Sequence, residues 1–338
     1  MKIIFSGCIL FLSFAGYQKV YAQDKTNELD PITITTTLAP EKLSKTGRNI
    51  FIIKGEHFAE LPVHSIDELL RYIPGVEIQS RGPMGAQSDI VLRGGTFQQV
   101  LVILDGLRLN DANTGHFSSY IPIAPSEIDR IEILKGASSA VYGSEAVGGV
   151  IYIFTKSFVS KQNQKKSAVD AQVTGGQYGL LAINAGGFYT NGNTSIGGGI
   201  LSNNTYGQPQ RGIDGYIHNN TASFSIGHYF NEHWQLAFRS SYDDRNFAAQ
   251  NFYTSFISDT ATERVKTFWN QLQLRYNSNA HNINFNIGYK KLQDHYAFNR
   301  GLSPNENTSY LTQAGITDQW KFSSKTTLVS GTQFIAKK

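Results

Sequence analysis

A glycine-rich segment is the first place where residue types and spacing could perform chemistry. Gly143–Gly149 has the sequence GSEAVGG and the G-x-x-x-x-G spacing of a loop that binds phosphates through its backbone N–H groups. Gly149 occupies the position of the lysine of such a loop, and the next residue, Val150, has no hydroxyl for Mg²⁺. The segment therefore argues against a nucleotide-hydrolysing enzyme.

Acidic residues form a second candidate group, in a segment that we predict to be one long loop from Asp243 to Val265. Carboxylate oxygens of this kind could gather calcium. Arg245 follows two of them directly and could neutralise them, so solvated loop charge is the alternative. The calcium hypothesis concerns Asp243, Asp244 and Asp259, with Glu263 nearby.

A histidine and several aromatic residues form the third group. His116 lies in the polar loop from Asn110 to Ser119, where it could contact a ligand or a metal or be an ordinary loop residue. Aromatic residues in predicted long loops could stack on a flat ligand or pack the loops: Tyr206, Phe247, Phe252, Tyr253 and Phe256. The sequence shows no Ser-His-Asp or Cys-His arrangement with a supporting motif, and we predict no enzymatic activity.

The composition indicates a β protein without a nucleic-acid partner. The 338 residues include 32 Gly, 21 Phe and 17 Tyr, and only 17% are charged, which is low for a soluble protein of this size. The formal net charge is only +4, and the basic residues are scattered along the chain.

The N-terminus is typical of a secretory signal peptide, which we assign to residues 1–22. Lys2 precedes an apolar run, and Val20-Tyr21-Ala22 fits a cleavage site before Gln23; a membrane anchor is the alternative. Cys8, the one cysteine of the sequence, lies inside this segment, so we expect no disulfide in the mature chain. An exported chain without a long apolar run later on indicates a periplasmic protein or an outer-membrane barrel.

We assign residues 23–39 to a periplasmic tail that contains an extended segment. Asp30-Pro31-Ile32-Thr33-Ile34-Thr35 alternates and is rich in β-branched residues, and its proline suits an edge strand. Such a segment could add as a strand to the sheet of another protein, or it could be a flexible linker.

Residues 40–157 are predicted to form a compact α+β domain. Ser65 and Glu68 predict a helix with a capping box, which Pro74-Gly75 ends. Apolar runs predict strands, and Asp105-Gly106 predicts a hairpin turn. The predicted strands are Ile50–Ile53, Val76–Ile78, Ile90–Leu92, Val100–Leu104, Ile128–Leu134 and Val150–Phe154.

Residues 158–338 have the alternating pattern of a transmembrane β-barrel, for which we predict about nine strands. We expect tight and long connections to alternate strictly, with long loops at Asn203–Asn219, Asp243–Val265 and Asp294–Thr308. The odd strand number and the ending IAKK suggest an N-terminal fragment or a truncated barrel.

These motifs together resemble those of TonB-dependent outer-membrane receptors, and most closely the cobalamin receptors. The resemblance lies in PITIT, LLRYIPGV, DIVLRGG, VLVILDGLRLN and IDRIEILKGASSAVYGSEAVGGVIYIFT. It implies that residues 40–157 are a plug and residues 158–338 the N-terminal part of a 22-stranded antiparallel barrel in outer-membrane lipid. Asp30–Thr35 would be the TonB box, the strand that TonB binds together with its inner-membrane energising complex.

The resemblance also implies functional positions. Arg93 and Glu132 would be plug partners of barrel charges, with ordinary plug folding as the alternative. The solute would bind at the plug apex, in the loops Gly82–Asp89 and Asn110–Ser119. The implied apex residues are Met84, Gln87, Ser88, Asn110, Asp111, Asn113, Thr114, His116 and Phe117.

The resemblance implies energy-coupled uptake of a scarce solute. Cobalamin comes first among the solutes, and a ferric siderophore or haem second; no cofactor is required, although calcium in the outer loops is allowed. The short tail from Gln23 to Leu29 argues against a signalling receptor or a glycan importer, which carry an added leading domain. The plug and the TonB box argue against a passive porin.

Overall fold

The computed structural model describes residues 32–33, 41–42, 49–82, 85–111, 114–209, 212–323 and 326–338. The predicted signal peptide lies outside these residues, as do Asp30, Pro31, Ile34 and Thr35 of the predicted TonB box and Met84 and Asn113 of the predicted apex. Within the described ranges, every helix is too short or too polar to cross a membrane.

The first described part of the chain is a mixed α+β domain. Its elements are β1 (Ile32–Thr33), β2 (Glu41–Lys42), β3 (Asn49–Lys54), α1 (His57–Glu60), α2 (Ile66–Leu70), β4 (Val76–Arg81), β5 (Gln87–Leu92), β6 (Val100–Leu104), β7 (Leu107–Arg108), β8 (Ile128–Lys135), α3 (Ser139–Tyr142), β9 (Gly149–Thr155) and α4 (Lys156–Val159). Short 3₁₀ turns lie at Phe97–Gln99, Gly115–Ser119, Pro125–Glu127 and Ser144–Ala146.

A five-stranded sheet in the order β3-β8-β9-β6-β7 organises this domain, while β1 pairs with β2 and β4 with β5. Within the five-stranded sheet only the β6–β9 pair is parallel. Asp105 and Gly106 join β6 to β7 with φ values of 45° and 98°, as a two-residue type I′ turn requires. Leu69, Val102 and Ile133 belong to the apolar core that covers the sheet.

The predicted capping box of α2 is wrong, although the helix begins where the sequence indicates. Ser65 has the extended backbone of an N-cap, but its hydroxyl makes no capping hydrogen bond. Glu68 accepts instead from the backbone N–H of His64, one residue before the N-cap, at 2.7 Å.

Nine antiparallel strands follow, each paired with the next along the chain. They are β10 (Gln164–Gly176), β11 (Leu180–Gly192), β12 (Thr194–Thr205), β13 (Ile217–Tyr229), β14 (Trp234–Ala248), β15 (Thr262–Asn277), β16 (His281–Ala297), β17 (Asn305–Lys321) and β18 (Thr327–Lys337). Buried and more exposed residues alternate along most of these strands. We call these nine strands the wall, and we call the side of the wall that contacts the N-terminal domain its inner face.

The connections differ from the prediction in two respects. The strands extend beyond their predicted ends, so Asp243 and Asp244 lie on β14 and Glu263 on β15. The strict alternation also fails at its start, because only Gln177–Gly179 joins β10 to β11 at the end where the long loops lie.

Glycines on the inner face let the N-terminal domain approach the sheet closely. A Cβ atom on Gly199 would lie 2.4 Å from the hydroxyl oxygen of Ser126, and one on Gly186 would lie 2.0 Å from the same atom. Any larger side chain would therefore push the 3₁₀ turn at Pro125–Glu127 away from the wall.

Candidate functional site

A buried arginine from the wall holds the N-terminal domain at its centre. The guanidinium of Arg239, on β14, lies 2.7 Å from a carboxylate oxygen of Asp105 and 3.1 Å from one of Glu127. It also donates to the hydroxyl of Thr155 at 2.8 Å. The side chains of Arg239, Asp105 and Glu127 are at most 1% exposed, so these charges interact without screening by water.

The N-terminal domain positions both carboxylates through its own turns. Asp105 sits in the β6–β7 turn and accepts from the backbone N–H and the hydroxyl of Thr155, at 2.9 and 2.6 Å. Glu127 ends a 3₁₀ turn and accepts from the hydroxyl of Ser225 on β13. Burial raises the pKa of the Asp105 carboxyl, while Arg239 and Thr155 act in the opposite direction. We call Arg239, Asp105, Glu127 and Thr155 the central latch.

Two further buried cations hold the loops of the N-terminal domain. Lys290, on β16, donates to the carbonyl of Leu109 at 2.8 Å and lies 3.5 Å from Asp111. Arg245, on β14, donates to the carbonyl of Gly85 at 3.1 Å. The wall therefore holds both loops that were predicted to form the apex, through charge-assisted hydrogen bonds.

His116 occupies the centre of the predicted apex. Its Nδ1 lies 2.7 Å from a carboxylate oxygen of Asp89, which is buried on β5. The imidazole stacks on Phe97 with 4.2 Å between ring centroids, and the ring of Tyr253, from the loop after β14, is 6.1 Å away. Arg81 adds a longer contact of 3.5 Å to Asp89. We call His116, Asp89, Phe97 and Tyr253 the apex cluster.

The other predicted apex residues mostly lie inside the structure. The side-chain amide of Asn110 forms two hydrogen bonds with β6: it accepts from the N–H of Val102 and donates to the carbonyl of Val100. Asp111 accepts from the hydroxyl of Ser309 at 2.8 Å, and the hydroxyl of Ser88 donates to Asp67. Gln87 and Phe117 are buried, and Thr114 accepts from the N–H of His116. Among the predicted apex residues that the structure describes, His116 is the member of the apex cluster.

The two predicted partners of barrel charges have different surroundings. Glu132 is fully buried and pairs at 2.8 Å with Arg130 of its own strand. Arg93 is exposed and adopts a left-handed backbone with φ of 53°. Other charged residues of the N-terminal domain do pair with the nine strands: Asp105 and Glu127 of the central latch, Asp111, Glu145 and Lys156.

The carboxylates of the calcium hypothesis contact different protein partners in the structure. Asp243 pairs at 2.8 Å with Arg245, and Asp244 pairs at 2.7 Å with Arg264. Asp259 accepts from the backbone N–H groups of Asn251 and Ala261 and so orders its own loop. In the described part of the chain, no group of three or more His, Cys, Asp or Glu residues could hold a metal ion. Protein donors thus already engage these carboxylates.

The predicted loop aromatics divide between packing and exposure. Phe247 and Phe252 are buried in one cluster with Phe117 and Tyr120. Tyr206 and Phe256 are exposed, and Tyr253 joins the apex cluster with its hydroxyl 3.1 Å from Glu263. Burial, with Glu263 beside it, raises the pKa of the Tyr253 hydroxyl, which therefore stays protonated.

Sequence reasoning missed the central latch and two members of the apex cluster. Arg239 lies between Phe238 and Ser240 and has the ordinary polar position of an alternating strand. Asp105 was recognised only as a turn residue. Asp89 and Phe97 flank the LRGG motif, and their approach to His116 is a long-range contact that has no local signal.

The comparisons with known proteins agree with this architecture. Residues 42–150 match the TonB-dependent Receptor Plug Domain. The vitamin B12 transporter BtuB of Vibrio cholerae serotype O1 (strain ATCC 39541 / Classical Ogawa 395 / O395) is 32% identical over 220 residues, which are 62% of this chain and 35% of that protein. BtuB of Photobacterium profundum is 28% identical over 236 residues, or 67% and 37%. The chain thus matches little more than a third of the length of these relatives.

Solved structures of receptors have a similar fold over most of this chain. The ferric yersiniabactin uptake receptor FyuA of Yersinia pestis has a TM-score of 0.68 at 17% identity, over 85% of this chain and 48% of that one. The siderophore receptor PiuA of Acinetobacter baumannii has the same TM-score at 16% identity, over 92% and 48%. Residues 42–150 thus match a plug domain, the chain has the fold of the corresponding parts of these solved structures, and its sequence is similar to part of the vitamin B12 transporters BtuB.

Proposed function

We propose that the chain is part of a receptor for energy-coupled uptake of a scarce solute across the outer membrane. The observation that carries the proposal is the plug, which buried cations of the wall hold at the central latch and at the apex loops. A plug held in this way blocks passage until external work changes its packing. A pull on its N-terminal segment can supply that work, because packed elements switch between discrete arrangements.

Cobalamin is the solute that we propose. The support is the alignment with proteins named vitamin B12 transporters, which extends over 220 residues. A ferric siderophore is the second candidate, because the matching folds include receptors named for ferric yersiniabactin and siderophores. Their identity to this chain is below 20%, so they support the fold more than the solute.

TonB is the partner that we propose for Asp30–Thr35, together with the inner-membrane complex that energises it. Ile32–Thr33 is already an extended strand, paired with Glu41–Lys42, as strand exchange with a partner requires. Phe224, Phe238 and Leu272 project from the outer face and would contact outer-membrane lipid. A signalling receptor and a passive porin remain the less favoured alternatives.

Binding and uptake can be measured separately in the intact protein. We expect nanomolar binding of cyanocobalamin, measured by equilibrium titration, and cobalamin-dependent growth of the host. Deletion of residues 30–35 should leave binding unchanged and abolish uptake, because the box lies far from the apex in the chain. Uptake that survives the deletion would contradict energy coupling through this segment, and absent binding would exclude cobalamin.

A further inference from the structure

We propose that Lys266 and Lys291, on the outer face of the wall, bind a phosphate group of a lipid headgroup in the outer leaflet of the membrane. We call these two residues the lysine pair. The proposal rests on the proposed function, because it requires the nine strands to cross the outer membrane. It adds a lipid partner of stated chemistry on a surface that faces away from the plug and from the solute.

The first support is an apolar band on the outer face. The exposed rings of Trp234, Phe238 and Tyr242 project from this face along β14, and Phe268 and Leu272 project from it along β15. From Trp234 to Tyr242, a strand tilted by about 40° rises about 21 Å, close to the apolar band of about 25 Å on transmembrane barrels. Tyr242 therefore marks the end of the band that is nearest the long loops.

The lysine pair lies where this band ends. Phe268 is directly opposite Tyr242 on one neighbouring strand and Lys291 on the other, so these three side chains share the outer face. Lys266 is two residues closer to the long loop before β15, and it therefore faces outward as well. Because the long loops of outer-membrane barrels are extracellular, both ammonium groups would lie at the headgroups of the outer leaflet.

The second support is the charge of the two lysines. Both side chains are partly exposed, and within the described ranges neither forms an ion pair. Asp244 lies opposite Lys266, but its two carboxylate oxygens accept from Arg264 at 2.9 and 2.7 Å. Glu306, further along the face, lies 3.8 Å from His295. Arg264 thus neutralises Asp244, and two positive charges remain beside it.

The third support is the spacing of the lysine pair. Lys291 is opposite Phe268, so Lys266 and Lys291 are diagonal neighbours on adjacent strands. Such neighbours have about 7–8 Å between their backbone positions, a gap across which two four-carbon side chains can reach one phosphate group. An ammonium group binds phosphate as a point charge with three donors. Phe268 and Tyr242 beside the pair offer apolar surface to the acyl chains of the same lipid.

Binding of defined lipids to the intact receptor tests the proposal. We would titrate the receptor in a neutral detergent with bisphosphorylated lipid A, with lipid A stripped of its phosphates and with inorganic phosphate, and count bound lipid by native mass spectrometry. We expect the wild type to prefer the phosphorylated lipid. Lys266→Gln and Lys291→Gln should each weaken binding of that lipid about fivefold, and the double variant about 25-fold.

Two pairs of substitutions are the matched controls. Lys266→Arg with Lys291→Arg keeps both charges and should keep the preference of the wild type. Lys161→Gln with Lys165→Gln removes the same charge from exposed lysines near the short-turn end of the wall, and it should also keep the preference. Equal weakening by this second pair would attribute the effect to net charge and overturn the site.

The remaining outcomes separate the phosphate site from its alternatives. Equal affinity for both forms of lipid A would assign lipid binding to the apolar band alone and overturn the proposal. Displacement of lipid A by an equal concentration of inorganic phosphate would overturn the assignment to a lipid.

Cobalamin binding is the independent measurement. All lysine variants should bind cyanocobalamin as the wild type does, because the lysine pair lies on the face opposite the plug. Failure of the lipid site would therefore leave cobalamin uptake intact. Absent cobalamin binding in the wild type would contradict the proposed solute and leave the lipid result unchanged.

Discussion

Arg239 illustrates how a buried charge can tie two domains together. The cost of removing a guanidinium from water is large, and it is offset only where carboxylates and hydroxyls surround it. Asp105 and Glu127 together carry more negative charge than one arginine neutralises, and burial raises the pKa of Asp105. Removal of the arginine would therefore leave two buried carboxylates without their cation, which destabilises the docked plug more than the intact latch stabilises it.

We expect Arg239→Met to lower the free energy of unfolding by about 3–5 kcal/mol, because two buried acids lose their partner. The matched control is Arg264→Met, which breaks the pair with Asp244 on the more exposed outer face and should cost less than about 1 kcal/mol. Thermal unfolding of both variants in the same detergent would measure the difference. Equal losses would show that the latch does not hold the plug.

The sequence could predict the apex histidine but not the latch. His116 stands out because it is the one imidazole in the two predicted apex loops, Gly82–Asp89 and Asn110–Ser119. Arg239 is one polar residue among many that alternate with apolar residues along β14. Whether such a residue faces water or a plug carboxylate depends on a contact across 134 residues of chain. No local pattern encodes that distance.

At the scale of the elements, the nine strands were predictable and their ends were not. Period-two alternation identifies a strand where one face contacts an apolar layer. Near the C-terminal end of β14, Asp244 lies on the outer face and pairs with Arg264. The outer face is therefore no longer apolar there, although the backbone pairing of β14 continues to Ala248. Because the alternation of polar and apolar residues ends there, the sequence predicted a long loop, and the calcium hypothesis was based on that loop.

The glycines of the inner wall provide a test at the same scale. Gly199→Ala should cost about 1–3 kcal/mol, because the new Cβ would lie 2.7 Å from the carbonyl oxygen of Ala185 and 2.4 Å from Ser126. Gly315→Ala is the control on the same type of strand, since its Cβ would meet only the carbonyl of Thr332, at 3.6 Å. Thermal midpoints and protease sensitivity of the plug would report the loss. A wall that tolerates both changes equally would argue against tight docking at β12.

At the scale of the whole molecule, the order of the plug strands indicates where a pull would act. β3 is the strand of the five-stranded sheet nearest the N-terminus and lies at the edge of that sheet, where it pairs with β8. β6 and β9 meet the central latch through Asp105 and Thr155, so the wall resists their movement. A force on the N-terminal segment should therefore separate β3 from β8 before it disturbs the latch.

A reversible cross-link would test this order of events. Ile50 and Leu134 lie opposite each other on β3 and β8, and the one native cysteine, Cys8, lies in the predicted signal peptide. In the intact receptor, Ile50→Cys with Leu134→Cys should bind cobalamin normally when oxidised but fail to import it, because β3 can no longer separate. Reduction should restore uptake, and the single variant Ile50→Cys should import under both conditions. Normal uptake by the oxidised double variant would place the moving part of the plug outside β3.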